Sequence, residues 1–173
     1  GRSVSVLDNA TNLLAAPVGK TSFMVETVTV EGGVSVADIR QIATDYTQAG
    51  VEIGGANLAF SLSDTFAILS SAVDERNQAD SISVTNSSLT VAQANVAENW
   101  KAPGSVTYSV DDTASNVAAA IDNAGVPNDE IANAVTVTLK TAATVDEASK
   151  LSETSISYNI SDTAAAVYDA YND

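Results

Sequence analysis

Short stretches of alternating apolar and polar residues recur along the chain, and each gives way to residues at helical spacing. The alternating stretches are Val25 to Val30, Leu58 to Leu62, Ile82 to Thr85, Val106 to Val110, Val135 to Leu139 and Ile156 to Ile160. A period of two is the strand signature. A Ser, Thr or Asp then stands where a helix N-cap belongs. Apolar residues follow at helical spacing: Val36, Ile39, Ile42, Ala43 and Tyr46; Val117, Ala120, Ile121 and Ala124; Ala164, Val167, Tyr168 and Tyr171. The pattern predicts six strand–helix units, with Val4 to Leu14 as a leading edge to which no element is assigned.

The units repeat. Phe60-Ser61-Leu62-Ser63-Asp64-Thr65, Tyr108-Ser109-Val110-Asp111-Asp112-Thr113 and Tyr158-Asn159-Ile160-Ser161-Asp162-Thr163 align, with their Asp residues 48 and 50 positions apart. Each is followed by an alanine-rich stretch: 66–72, 114–120 and 164–170. A second element lies between them: Ser35-Val36-Ala37-Asp38-Ile39, Thr90-Val91-Ala92-Gln93-Ala94 and Thr144-Val145-Asp146-Glu147-Ala148, spaced by 55 and 54 residues. Strand–helix alternation at this spacing favours parallel strands, because a short helix supplies the crossover that parallel pairing needs. Buried parallel strands read as continuous apolar runs, whereas these carry Ser, Thr or Asn at every second position. The expected fold is therefore α/β: tandem strand–helix repeats in a parallel-sheet solenoid or layered stack, with one sheet face polar. Residues 1–173 are expected to form a single repeat domain, with units at roughly 22–80, 81–133 and 134–173 and a leading edge at 1–21. The clearest break is Gly125-Val126-Pro127-Asn128.

Composition narrows the chemistry. Hydrophobic residues make up 45% of the chain but aromatics only 5%, so Val, Ala, Ile and Leu must fill the core. The 22 acidic and 7 basic residues leave a net charge of −15, which repels phosphate backbones and anionic membranes. Nucleic acid is therefore not an expected partner. No apolar run is long enough for membrane insertion. Cysteine and histidine are both absent, so thiol chemistry, disulfides and the commonest general base and metal ligand are missing. Gly1-Arg2-Ser3 reads as a cloning remnant or an internal cut, with any export signal outside this window.

The aromatic-Ser-hydrophobic-Ser-Asp-Thr segments, followed by small-residue helices and alternating with Thr-Val-x-x-Ala, resemble repeats of large exported bacterial surface proteins. These include S-layer-like, repeat-toxin-like and giant adhesin proteins. The resemblance covers residues from about 26 to 173, and it implies an extracellular or cell-surface location. The glycine-rich nonapeptide that holds calcium in repeat toxins is lacking, so that function does not carry over.

Two sets of residues carry the candidate chemistry. Asp64, Asp112 and Asp162 stand at equivalent strand ends, with Asp111 beside them. Stacking would align them into a row able to hold calcium; the alternative, which also explains the recurrence, is helix capping. Ser61, Ser83, Thr85, Thr107, Ser109, Thr136, Thr138, Ser157 and Asn159 fall on the polar strand face. They form a solvated surface or a flat array for glycan, ice or another protein sheet. The acidic loop 123–130 lacks the ligand spacing of an EF-hand and reads as a turn before a helix. Val18-Gly19-Lys20-Thr21 lacks the upstream glycine of a phosphate loop. Trp100 is expected to be a core plug at a helix end. No nucleophile–base–orienter set can be assembled, so no catalytic residues, enzyme activity or cofactor is expected. The sequence thus points to a non-enzymatic structural or adhesive repeat module. Its partners would be neighbouring repeats of the same protein, a glycan, or other copies of itself. The alternative is a calcium-, glycan- or ice-binding module.

Overall fold

A computed structural model describes residues 3–15, 24–46, 53, 55, 57–100, 104–121 and 127–172. Val18-Gly19-Lys20-Thr21, Ala124, the 125–126 part of the linker and Gly1-Arg2 lie outside these. The protein is a mixed α/β structure, and the described residues group into two compact units.

The first unit takes in residues up to 87 together with 100–106. It contains β1 (Ser3–Asn9), α1 (Ala10–Ala15), β2 (Met24–Val34), α2 (Val36–Tyr46), β3 (Leu58–Asp64), α3 (Phe66–Ser71), α4 (Val73–Gln78) and β4 (Ile82–Val84). With β5 (Val106–Thr107) the strands form one sheet in sequential order, β1-β2-β3-β4-β5. The β1–β2, β2–β3 and β3–β4 pairs are all parallel. The alternation read from the sequence has a direct cause: Leu58, Phe60 and Leu62 are buried while Ala59, Ser61 and Ser63 are only half-buried. Val25, Val28, Val30, Val34 and Ile82 join them. From the helices come Leu13, Leu69 and the α2 stripe of Val36, Ile39, Ile42 and Tyr46, all almost fully buried. Residues three and four apart share one helix face, which fixes that stripe. The register of β2 on β3 shifts between Thr29 and Gly33, and Gly32 takes a left-handed φ of +76° there.

The second unit takes in 88–99 and residues from 107 onward. It contains α5 (Val91–Glu98), β6 (Val110–Asp112), α6 (Ala114–Ala119), α7 (Asp129–Ala132), β7 (Val137–Leu139), α8 (Val145–Leu151) and α9 (Ala164–Asn172). β6 and β7 pair in parallel, and parallel bridges join Leu89 to Val110 and Ala143 to Ile160. Its interior is built largely from small side chains: Ala94, Ala97, Ala114, Ala118, Ala143 and Ala148 beside Leu89, Val110, Val117, Ile121 and Leu151.

Several expectations change. Residues 3–15, to which the sequence assigned nothing, form a complete strand–helix pair. The stretch 106–110 is not one strand: the chain exchanges partners at Tyr108 and Ser109, whose carbonyls accept from Val135 N (2.9 Å) and Leu89 N (2.7 Å). α6 ends at Ala119 because the backbone turns so that Ile121 can bridge to Pro127. Residues 156–160 make a single bridge, at Ile160. The α9 stripe is exposed rather than buried at Val167, Tyr168 and Tyr171. The turn and helix start expected before Glu130 are present as Asn128 and α7.

Candidate functional site: the Asp-Thr strand ends and the hydroxyl face

Each Asp-Thr pair closes a strand and opens a helix. Thr65, Thr113 and Thr163 accept the N–H of the residue three positions on, at 3.4, 3.2 and 3.2 Å. This is ordinary N-capping by a hydroxyl in extended backbone. The aspartates do something further. One oxygen of each accepts the N–H of its own threonine, at 2.8, 2.8 and 2.6 Å for Asp64, Asp112 and Asp162. The other oxygen reaches back to the first N–H of the preceding helix of the second class: Val36 N to Asp64 (3.1 Å), Val91 N to Asp112 (2.9 Å) and Val145 N to Asp162 (3.0 Å). Each carboxylate thus fastens two helix N-termini, where unpaired N–H groups and the helix dipole favour negative charge.

The two repeated sequence elements are therefore two halves of one contact. Ser35, Thr90 and Thr144 cap the helices whose first N–H is held in this way. Thr90 with Gln93, and Thr144 with Glu147, form full capping boxes. Ser35 accepts from Asp38 N at 3.1 Å. The backbone around the contact recurs too. Leu89 N donates to Ser109 O and Asp111 N to Leu89 O, as Ala143 N donates to Asn159 O and Ser161 N to Ala143 O.

Burial grades the three. Asp112 is 6% exposed, Asp64 half-buried and Asp162 exposed. Burial alone would raise the Asp112 pKa. The Asn116 side chain and the N–H groups of Val91 and Thr113 outweigh it, so the carboxyl sits below its ordinary value. The N–H groups of Val145 and Thr163 lower Asp162 likewise. Asp111 faces Lys140, whose Nζ lies 3.6 Å from its carboxylate and donates to its carbonyl at 2.8 Å. Among the described residues no group of three or more acidic side chains converges as a cation site would require.

Sequence reading missed a fourth copy. Asp8-Asn9-Ala10-Thr11-Asn12-Leu13 matches Asp112-Thr113-Ala114-Ser115-Asn116-Val117 in geometry. Asn9 N donates to Asp8 Oδ1 (2.8 Å), Asn12 N to Asn9 Oδ1 (3.0 Å) and Asn12 Nδ2 to Asp8 Oδ1 (2.7 Å). Asn116 Nδ2 makes the same bond to Asp112 Oδ1, at 2.8 Å. The shared signal was Asp-cap-Ala-hydroxyl-Asn-aliphatic, with Asn in the cap position.

The hydroxyl residues divide between the two units. In the first, Ser61 and Ser83 share a face of β3–β4 with Ser63 and Ser81, since Leu62 pairs with Ile82 and Ser63 with Ser83. Thr85 follows β4, and its N–H donates to Asp64 O at 2.9 Å. Ser81 Oγ donates to Ser61 Oγ and Thr27 Oγ1 to Ser5 Oγ, both at 2.9 Å, so hydroxyls pair across strands. Ser5, Thr27, Ser63 and Ser81 belong to this set although the sequence did not single them out. In the second unit Thr138 lies opposite Asp111, and Thr107, Thr136, Thr138, Ser157 and Asn159 are exposed while Ser109 is half-buried.

Trp100 is a half-buried plug. It stacks on Phe66 at 5.5 Å between ring centroids, and the Arg76 guanidinium lies 4.6 Å over its ring. Arg76 is almost fully buried with Nε unpartnered, and burial lowers its pKa. Glu75, also buried, pairs with Arg40, whose hydrogen bond holds the carboxyl below its ordinary value. In the second unit, the buried Tyr108 hydroxyl donates to Glu98 and also contacts Glu130 O at 3.3 Å. Burial, followed by Glu98, pushes the phenol far up, so it stays protonated and cannot serve as a base. A groove of about 480 Å³ is lined by Pro127, Ile131, Ala132 and residues 134–137 and 154–157, none of them with an ionisable side chain.

Comparison with protein-family models, curated proteins and solved structures found no match to this chain.

Proposed function

We propose that this protein is a non-enzymatic structural module of strand–helix repeats, a scaffold or adhesive element of an exported bacterial protein. The observation that carries the reading is the use of the recurring aspartates. Both oxygens of Asp64, Asp112 and Asp162 accept backbone N–H groups that join successive helices. The recurrence is thereby accounted for by cohesion between the two strand–helix halves of each repeat, 22–80, 81–133 and 134–173. The exported setting rests on a chain free of cysteine and strongly acidic, and on the resemblance of its segments to surface-protein repeats.

The rival is a binding module, with calcium on the Asp-bearing edge or a glycan or ice on the hydroxyl face. Melting by calorimetry, with and without millimolar calcium, separates the scaffold from the cation-dependent module. At fixed ionic strength the scaffold reading expects no change in Tm. A cation that binds only the folded state raises stability by about 2.7 kcal/mol at a hundredfold excess over Kd. A rise of several degrees would therefore replace the scaffold reading with a calcium-dependent one. Glycan-array and ice-recrystallisation assays apply the same choice to the hydroxyl face.

A further inference from the structure

β4 and β7 are counterparts, yet one is closed on both edges and the other on one. β4 joins β3 through Asp80 N to Phe60 O (2.7 Å), Leu62 N to Ser81 O (2.9 Å) and Thr85 N to Asp64 O (2.9 Å). β7 joins β6 in the same way, through Val135 N to Tyr108 O (2.9 Å), Val110 N to Thr136 O (2.8 Å) and Lys140 N to Asp112 O (2.7 Å). Val137 thus answers to Ile82. Ser105 and Ser155 correspond as well, each three residues before the tyrosine of its repeated segment. On its second edge β4 is closed, with Ile82 N donating to Ser105 O at 3.0 Å. Among the described residues no hydrogen bond joins 135–139 to 154–158. The next contact along is kept: Ala143 N donates to Asn159 O as Leu89 N does to Ser109 O, both at 2.7 Å.

In place of the missing pairing is the groove of about 480 Å³ lined by 134–137 and 154–157. Along a strand the N–H and C=O groups point alternately to its two sides. Thr136 and Lys140 turn theirs to β6, so those of Val137 turn away from it. Asn159 turns its carbonyl to Ala143, so Ser155 and Ser157 offer theirs on that same side. The bridge from Ala143 to Ile160 is parallel. Apolar Ile131, Val137 and Ile156 line the groove together with the hydroxyls of Thr136, Ser155 and Ser157. Val135 is 65% exposed where its counterpart in the closed copy is the charged Asp80. Four residues of strand span about 13 Å, so the groove has the length of a short strand.

We propose that this groove takes up an extended, basic peptide segment of another protein as an added strand, paired with Val137 and with 155–157. Strand addition draws affinity from main-chain hydrogen bonds and specificity from alternate side chains. One alternate set of the ligand's side chains is apolar and meets Ile131, Val137 and Ile156. The other set lies with Thr136, Ser155 and Ser157 and carries the positive charge. The charge follows from the surroundings. Residues 88–99 and 107–173 hold twelve acidic side chains against two basic ones, Lys140 and Lys150. Glu153, beside Thr154 of the lining, is exposed. Such a field draws in a cationic ligand. It repels a second copy of this chain, whose net charge is −15. The proposal goes beyond the scaffold reading and does not depend on it.

Fluorescence anisotropy tests it, with a labelled octapeptide of alternating lysine and valine titrated with the 173-residue chain in physiological salt. Saturable binding is expected. The same peptide N-methylated at its valines loses donors along one edge, and should bind about tenfold more weakly. A block peptide, four lysines followed by four valines, keeps the charge but not the alternation and should weaken likewise. Val137→Pro deletes the N–H that faces the groove and none that bonds β6, and should also cost about tenfold. Val135→Lys, at an exposed position, repels the ligand and should weaken it several-fold. Circular dichroism with a thermal melt verifies folding; if Val137→Pro does not fold, Val135→Lys and the altered peptides decide. No saturable binding at millimolar peptide overturns the proposal. Equal binding of the block or N-methylated peptide, or undiminished binding by the folded variants, overturns it too, since charge alone would then account for the affinity. Cellohexaose bound in the peptide's stead, followed by calorimetry, would make the groove a glycan site and equally end the proposal. None of these results touches the scaffold reading, which the calcium melt decides.

Discussion

Asp112 carries the clearest energetic expectation at the scale of single residues. It is buried, accepts N–H groups from two helices and takes a third bond from Asn116. Charge-assisted bonds to a buried acceptor contribute about 1.5–3 kcal/mol. Asp112→Ala should therefore cost about that much in urea unfolding, while Thr113→Ala should cost about 1 kcal/mol as a lost N-cap. A loss of a few tenths at Asp112 would show that neither helix depends on it. The pKa direction gives a second test. Because the folded-state pKa lies below the unfolded one, the contribution is fully present above the unfolded value of 3.8 and is lost as pH falls through the folded value. Acid unfolding of the wild type should thus be steeper below pH 4 than that of Asp112→Asn, which has no charge to lose. The sequence made half of this legible. Asp-Thr before an alanine-rich stretch announces a cap. The partner of the second oxygen is not announced, because it lies in a helix many residues earlier and is set by strand register. Asp8 escaped for a simpler reason: its cap is Asn9, and a search for Asp-Thr passes over it.

The elements divide by how strongly period and packing agree. α2 was legible end to end because its stripe at 36, 39, 42, 43 and 46 is entirely buried. The strand 58–62 was legible because one face meets the helices and the other does not. α6 was overextended: Ala120 and Ile121 keep helical spacing, but Ile121 is drawn into a bridge with Pro127, a tertiary demand that spacing cannot convey. The break between α3 and α4 at Ala72 was equally hidden, since neither Gly nor Pro marks it. A tight approach supplies the prediction at this scale. A Cβ on Gly104 would stand 1.9 Å from Asp80 O, just where Ile82 N donates to Ser105 O. Gly104→Ala must push the β4 backbone from its neighbour, at a cost of about 1–3 kcal/mol in chemical denaturation. An unchanged midpoint would mean that the two segments separate without penalty.

For the whole molecule, charge sets the sign of the response to its surroundings. With 22 acidic and 7 basic residues, self-repulsion opposes compaction, and an inert salt relieves it. Tm should rise by several degrees between low-salt buffer and 0.5 M NaCl, measured by calorimetry with the same ions throughout. A fall would indicate that the Arg40–Glu75 and Lys140–Asp111 pairs outweigh the general repulsion. The α/β character and the parallel strand sense were readable from the alternation of periods. The division into two compact units was not, because Asp-Thr segments occur in both of them.

The fastening between helix starts has a property that bears on how such chains can change. Val36 and Asp64 are 28 positions apart, Val91 and Asp112 are 21, and Val145 and Asp162 are 17, yet the three bonds measure 3.1, 2.9 and 3.0 Å. The join is indifferent to the length of chain looped between its halves. Extra residues can enter or leave that interval without reaching the hydrogen bonds, and a loop of known extent costs little more closure entropy than a shorter one. Chains built on this rule could diversify by insertion while their backbone order persists. Their kinship would then be found by searching for the paired ends across a variable gap, and overlooked by any search for a fixed period.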